Sequence, residues 1–259
     1  MLLTSLQSMP SSSAKRTSST NPRILLALLL LAIGAFAVAL SAGSVSVDWV
    51  GVMEGLRGRD LSVDYAVVFQ LRLPRAATAF VVGGMLGLAG VLMQILLRNP
   101  LADPYVLGVS GGAAVAALLA ILLGWHMAGI SGAAAVGALA SMFLVFVLSR
   151  GRGDWSTTRL LLTGVVLAAG WGAVVSFILA VSPDAHVRGM LFWLMGDIRE
   201  TFPGWIRLGI LMASLLVAFG FARSLNLLSL GELRAESLGV NTTLLRAGLF
   251  FMAGLLTAS

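Results

Sequence analysis

The sequence predicts an all-α protein, a polytopic transmembrane helix bundle, and three observations carry that expectation. Hydrophobic residues make up 58% of the 259 residues, charged residues only 11%, and the mean hydropathy is +0.97. A soluble domain carries about a quarter charged residues because its surface faces water, so most of this surface must face lipid. Charge-free runs long enough to cross a bilayer recur along the chain. Finally, the basic residues, 17 against 11 acidic ones, are scattered singly between those runs. Binding of nucleic acid would call for a basic face with interleaved aromatics, which this pattern lacks.

A hydrocarbon core of about 30 Å takes about 20 helical residues rising about 1.5 Å each. Residues 24–43, 76–97, 107–124, 127–148 and 160–181 meet that length without a charge. A sixth run, 205–222, tolerates Arg207 near one end, where the side chain is expected to snorkel to the headgroups. A seventh begins near Ala247 and reaches Ser259 after only about 20 Å of helix, short of a crossing. The first run follows Lys15, Arg16 and Arg23, as a signal peptide would. Its apolar stretch exceeds the usual 7–15 residues of such a signal, so it is read as a true span. Residues 1–23, rich in Ser and Thr, are expected to form a disordered cytoplasmic tail.

Alternating the spans sorts the loop charges into two sets. One side holds Lys15, Arg16, Arg23, Arg98, Arg150, Arg152, Arg159, Arg223, Arg234 and Arg246, with four acids. The other holds the arginines at 57, 59, 72, 75, 188, 199 and 207, balanced by seven acids. The positive-inside rule counts Lys and Arg, so ten against seven places the N-terminus in the cytoplasm. The arginines left outside need a reason of their own.

Several chemistries are excluded. There is no cysteine, hence no disulfide, thiolate metal site or cysteine nucleophile. Lys15 is the only lysine, and a Walker loop needs a Gly-Lys-Ser/Thr at a helix start. ATP hydrolysis must therefore belong to another polypeptide, and no catalytic residue is expected here. His126 and His186 fall in separate outward loops with no clustered ligands, so no metal site is expected. None of the complete spans has an interior charge, which argues against the main alternative, an ion-coupled secondary transporter. A non-transporting scaffold is the other competing class.

Three local patterns remain. Gly83, Gly84, Gly87 and Gly90, and then Gly111, Gly112, Ala113 and Ala116, put small residues at helical spacing, which suits close helix–helix packing. Between them, Arg98–Pro104 carries two prolines that preclude a regular helix. The connection 223–243 is amphipathic: Ser229 and Glu232 are spaced as a capping box and Gly239 supplies a stop, predicting one short helix. It suits either a helix lying on the membrane surface or a docking helix for a cytoplasmic partner.

Taken in order, LRLPR at 71–75, GVLMQ at 90–94, RNPLADPYVLGVSGG at 98–112, STTRLLLTG at 156–164, FWLMG at 192–196 and LLSLGELRAESLGV at 227–240 resemble the FecCD-type permeases of type II ABC importers. The resemblance covers residues 70–240 and implies a permease for ferric siderophores, haem or cobalamin. It implies a ten-helix bundle that forms a homodimer, binds two cytoplasmic ATPases and receives cargo from a binding protein outside. About seven of those ten helices are expected here, so 24–259 is read as an incomplete permease domain, truncated before a Gly-x-x-Gly-x-x-x-Pro-His segment. No cofactor is expected on this chain, ATP and Mg²⁺ belonging to the partner. By the same resemblance, Arg72 and Arg75 dock the binding protein. Asn99 and Leu101 form a cytoplasmic gate with Ser156, Thr157 and Thr158. Residues 226–240 couple to the ATPase through Leu230, Gly231, Glu232, Arg234, Ala235, Leu238 and Gly239.

Overall fold

The computed structural model describes residues 21–57, 63–149, 157–196, 198 and 204–258. Among them every regular element is helical. The chain divides into two compact units, residues 1–68 and 69–259. The expected tail falls almost wholly on 1–20, outside the described residues.

In the first unit, α1 (Pro22–Ser41) has Pro22 at its start, and Asn21 Oδ1 caps the N–H of Arg23. It buries none of its residues, as a helix solvated by lipid tails can afford. A short helix the sequence did not signal, α2 (Trp49–Leu56), follows, with Asp48 capping the N–H of Val50 at 3.0 Å. It packs on α3 (Val63–Ala66), where Gly55 is pressed so close to Tyr65 that an added Cβ would lie 2.7 Å from the tyrosine Cβ.

From Val63 to Leu97 the chain is one helical run of 35 residues. The expected outward loop around Arg72 and Arg75 is therefore helical. Pro74 lacks an N–H and its ring crowds the carbonyl four residues back, so a regular α-turn cannot form there. The run meets this with a π-helical segment, Val67–Arg72, and resumes as α4 (Leu73–Leu97) with Pro74 in its first turn, where a missing N–H costs nothing.

α4 is the centre of the second unit. Its residues Met85, Ala89, Leu92, Met93 and Leu96 recur at helical spacing and are fully buried. They pack with Val109, Met142, Val145, Leu160, Leu249 and Phe250. After the 3₁₀ turn Pro104–Leu107, α5 (Val109–Leu122) is only 14 residues long. The expected span 107–124 is thus shortened at its start by Gly108, whose φ of +68° takes it out of right-handed helix. α6 (Met127–Ser149) and α7 (Thr157–Val181) match the expected spans closely.

α8 (Asp184–Met195) lies where the sequence suggested a loop, so His186 is helical and half-buried, its Nδ1 enclosed without a hydrogen-bond partner. α9 (Gly204–Gly220) is followed after a 66° bend by α10 (Ala222–Ser229). Next come α11 (Glu232–Ser237) and α12 (Thr242–Ala258), which starts five residues before the expected Ala247. The seven apolar segments are all present. Among the described residues, four helices are long and apolar enough to cross a membrane unaided, five if α9 and α10 count as one broken span, while α5 and α12 are shorter.

The glycine-rich faces behave unequally. At Gly83, Gly87 and Gly90 an added Cβ would meet nothing within 4 Å, so only Gly84, opposite Leu211, fits the packing expectation on α4. On α5 the expectation holds. A Cβ on Gly111 would sit 2.6 Å from Trp171 Cβ, and one on Gly112 would sit 2.6 Å from the Gly137 carbonyl oxygen. Backbones this close need small residues on both helices.

Candidate functional site

The loop between α4 and α5 is built by its own polar side chains. Arg98 ends α4 in the left-handed conformation (φ 48°), and the N–H of Asn99 returns to the Gln94 carbonyl at 3.2 Å. Asn99 Oδ1 accepts from the N–H of Leu101 at 2.9 Å, Gln94 Nε2 donates to the Pro100 carbonyl at 2.9 Å, and Asp103 Oδ1 caps Tyr105 N–H at 2.7 Å. The Asn and the Asp are thus turn formers, each accepting from the N–H two residues on, across the intervening proline. The effect is to hold Leu101 in the open, 87% exposed, while Ala102 is buried.

A single hydroxyl fixes the far end of this loop. Ser141 of α6 is fully buried; its Oγ donates to the Gly108 carbonyl at 2.8 Å and accepts from Trp171 Nε1 of α7 at 2.8 Å. Loop, α6 and α7 meet at that atom. Sequence reasoning missed it because a serine inside an apolar run gives no signal until its neighbours are known.

Of the other expected gate residues, Thr158 is exposed in the first turn of α7, Thr157 opens that helix, and Ser156 lies outside the described residues. The 3₁₀ turn Pro104–Leu107 packs on α7, so loop and helix share one end of the second unit. Arg72 and Arg75 stand three positions apart, Arg72 half-buried at the end of the π-segment and Arg75 exposed on α4.

The segment 226–240 is two helices, which corrects the expectation of one. Ser229 is no cap: its Oγ donates to the Asn226 carbonyl at 2.7 Å, within α10. Gly231, at φ 130° and ψ 148°, breaks the path and starts α11, because only glycine occupies that region readily. Gly239 is the stop the sequence foresaw: at φ +82° it lets the Val240 N–H reach the Ala235 carbonyl at 3.0 Å. Leu230, Leu233 and Leu238 point outward, 63%, 82% and 65% exposed, with Arg234, while Ala235 is wholly buried.

Glu232, by contrast, is turned inward. Arg246 Nη1 of α12 donates to its Oε1, and Glu236 Oε1 accepts from Thr242 Oγ1 at 2.6 Å. Arg246, expected in a cytoplasmic loop, lies inside α12 and is buried. Asn241 Oδ1, accepting from the Leu244 N–H at 3.0 Å, caps that helix and was the overlooked sign of its start.

Two cavities adjoin these elements. One of 1050 Å³ runs between α9, α10 and α12 and is lined by Phe221, Leu225, Leu238, Gly239, Leu244 and Phe251. The other, of 840 Å³, is walled by small residues of α5, α6 and α7, among them Ser110, Gly111, Ala134, Ala138 and Gly172, with Trp193 and Arg207 at its edge. Arg207 Nε and Nη1 are enclosed at that edge with no hydrogen-bond partner among the described residues.

Comparison with known proteins agrees with this geometry. Residues 28–259 match the FecCD transport family. The chain is 34% identical over 249 residues to the molybdate import system permease MolB of Haemophilus influenzae, covering 92% of this chain and 73% of that one. Against the ferric enterobactin permease FepD of Escherichia coli the identity is 42% over 217 residues, covering 82% and 65%. Against the vitamin B12 permease BtuC of Salmonella typhi it is 32% over 244 residues, covering 93% and 72%. A solved metal-chelate type ABC transporter in an inward-facing conformation superposes with a TM-score of 0.73 at 32% identity, covering 92% of this chain and 73% of that one. The chain spans roughly two thirds to three quarters of the length of these relatives. It belongs to the FecCD transport family, as a multi-pass membrane permease of the ABC-importer kind.

Proposed function

We propose that the chain is the membrane-spanning subunit of an ATP-driven importer that moves an iron–siderophore, haem or corrinoid complex across the bacterial inner membrane. The match to transport permeases along residues 28–259 carries this reading. The relatives named for ferric enterobactin and vitamin B12 support the cargo class. The chain works as a homodimer in lipid, its N-terminus cytoplasmic. A separate cytoplasmic subunit binds and hydrolyses ATP with Mg²⁺, and an external binding protein delivers the cargo.

The residue roles are part of the proposal, and their positions support them. Arg75 and Arg72, one helical turn apart, offer planar guanidinium groups to carboxylates of the binding protein; such charge-assisted pairs are specific yet reversible. The propped-out Leu101 and the threonines at the start of α7 form the inner gate, whose small and apolar groups let a bulky chelate pass without holding it. The exposed Leu230, Leu233 and Leu238, on and beside α11, form the ATPase contact with Arg234. The two arrangements of the bundle must differ in affinity for the ATP-bound partner, or ATP would shift nothing.

ATP-dependent uptake of a ferric siderophore or cobalamin into proteoliposomes, with ATPase and binding protein supplied, tests the assignment. Uptake that follows an ion gradient without ATP would overturn it. Within it, the double variant Arg72→Glu, Arg75→Glu is expected to lose binding-protein capture in a pull-down and keep the ATPase; unchanged capture removes the docking role.

A further inference from the structure

We infer that Glu232 and Arg246 form an internal latch that makes the coupling helix α11 and the transmembrane helix α12 move as one body. The inference rests on the importer assignment and changes the part Glu232 plays in it, from a residue offered to the ATPase to one that transmits its motion.

The geometry is a ladder of two rungs. Glu232 and Glu236 stand four apart on one face of α11; Thr242 and Arg246 stand four apart on one face of α12. The chain reverses between them at Gly239, so the outer pair, Glu232 with Arg246, and the inner pair, Glu236 with Thr242, close across the same turn. Ala235 lies on the inner side of α11, fully buried. Arg246 has a side-chain exposure of only 6%. Glu232 thus supplies a carboxylate to a buried cation, and moving α11 away from α12 would break that ion pair and the Glu236–Thr242 bond together.

Both helices have a second contact. On the outward side of α11 stand Leu233 and Arg234, both exposed. On α12, a turn beyond Arg246, Leu249, Phe250, Ala253 and Leu256 are buried in the core around α4. A push on the exposed face therefore reaches the core through the two rungs. Glu232 and Arg246 are positioning residues: they contact neither cargo nor nucleotide.

The test uses the permease in nanodiscs, alone and with its ATPase and loaded binding protein. Glu232→Gln keeps the shape and removes the charge. In the permease alone, amide hydrogen exchange across Glu232–Ser237 is expected to rise at least fivefold, while α6 and α7 stay protected. With partners present, the ATPase is expected to co-purify as before while its stimulation by loaded binding protein falls about fivefold or more, the scale of a typical coupling between sites. The charge-swapped pair Glu232→Arg with Arg246→Glu is expected to recover most of that stimulation. Should Glu232→Gln fail to accumulate, Thr242→Val opens the other rung and is expected to show the same split to a smaller degree. Loss of the ATPase from the Glu232→Gln complex, as expected for Arg234→Glu, would make Glu232 a partner contact and overturn the latch. So would unchanged exchange and stimulation. If the unaltered protein shows no ATP-dependent uptake while exchange responds as described, the importer assignment fails and the latch stands.

Discussion

Ser141 and the glycines near it show how few atoms hold α5, α6 and α7 together. The buried Ser141 hydroxyl serves two partners, Gly108 O and Trp171 Nε1. Ser141→Ala takes the acceptor from Trp171 Nε1–H and leaves the Gly108 carbonyl with the Gly112 N–H alone, a loss of about 1–3 kcal/mol, and a lower unfolding midpoint in detergent is the expected result. Gly137 faces the Gly112 backbone, and an added Cβ would stand 2.5 Å from Ala116 Cβ. Backbone cannot yield cheaply, so Gly137→Ala should cost about 1–3 kcal/mol by overpacking. Gly132, on the same helix, has nothing within 4 Å of an added Cβ. Gly132→Ala should be neutral or slightly stabilising, since alanine is the better helix former. Equal behaviour of the two glycine variants in a thermal-shift comparison would contradict the α5–α6 contact.

At the scale of elements, glycine conformation decides where helices stop. Gly231→Ala forces a side chain into a region that costs about 1–3 kcal/mol, and the expected outcome is weaker ATPase co-purification with α10 and α11 misaligned. The same residue explains what the sequence did and did not disclose. Hydropathy located α6 and α7 to within a few residues, because Ser149 and Thr157 adjoin charged, Gly-rich connections. It shortened α12, because Arg246 looked like a loop charge until Glu232 was seen beside it. It hid α8, whose Asp184, His186 and Arg188 lower the local hydropathy of a helix that nevertheless buries Met190. A capping pattern misled at Ser229, since the alternative start at Gly231 depends on a backbone angle that residue types do not reveal. Which helix faces form the core was not legible at all. In a lipid-exposed protein the outer surface is as apolar as the inner, so α4 shows no polar face opposite Met85, Ala89 and Leu92.

For the molecule as a whole, orientation is the property most open to direct measurement. The chain has no cysteine, so any introduced thiol is the only one. Leu101→Cys and Trp125→Cys, both at exposed positions, flank α5 and should face opposite sides of the membrane. In intact spheroplasts a membrane-impermeant maleimide is expected to label Cys at 125 and to reach Cys at 101 only after lysis. The reverse pattern would invert the orientation drawn from ten inner against seven outer basic residues. The gate and coupling roles would then exchange sides with the docking arginines.

The two left-handed glycines that bracket α11 also differ mechanically. Gly239 sits inside the turn closed by the rungs to α12, and the Val240 N–H bond across it braces that joint further. At Gly231 the N–H returns to the Leu228 carbonyl of α10 and the carbonyl accepts from the Ala235 N–H of α11, each at 3.1 Å, and among the described residues no hydrogen bond of that kind runs across it from one helix to the other. With the rungs closed, α11 is a rocker with one stiff joint and one compliant joint, and rotation concentrates at Gly231. Distance changes during a transport cycle should then appear between labels on α10 and α11 and be nearly absent between labels on α11 and α12.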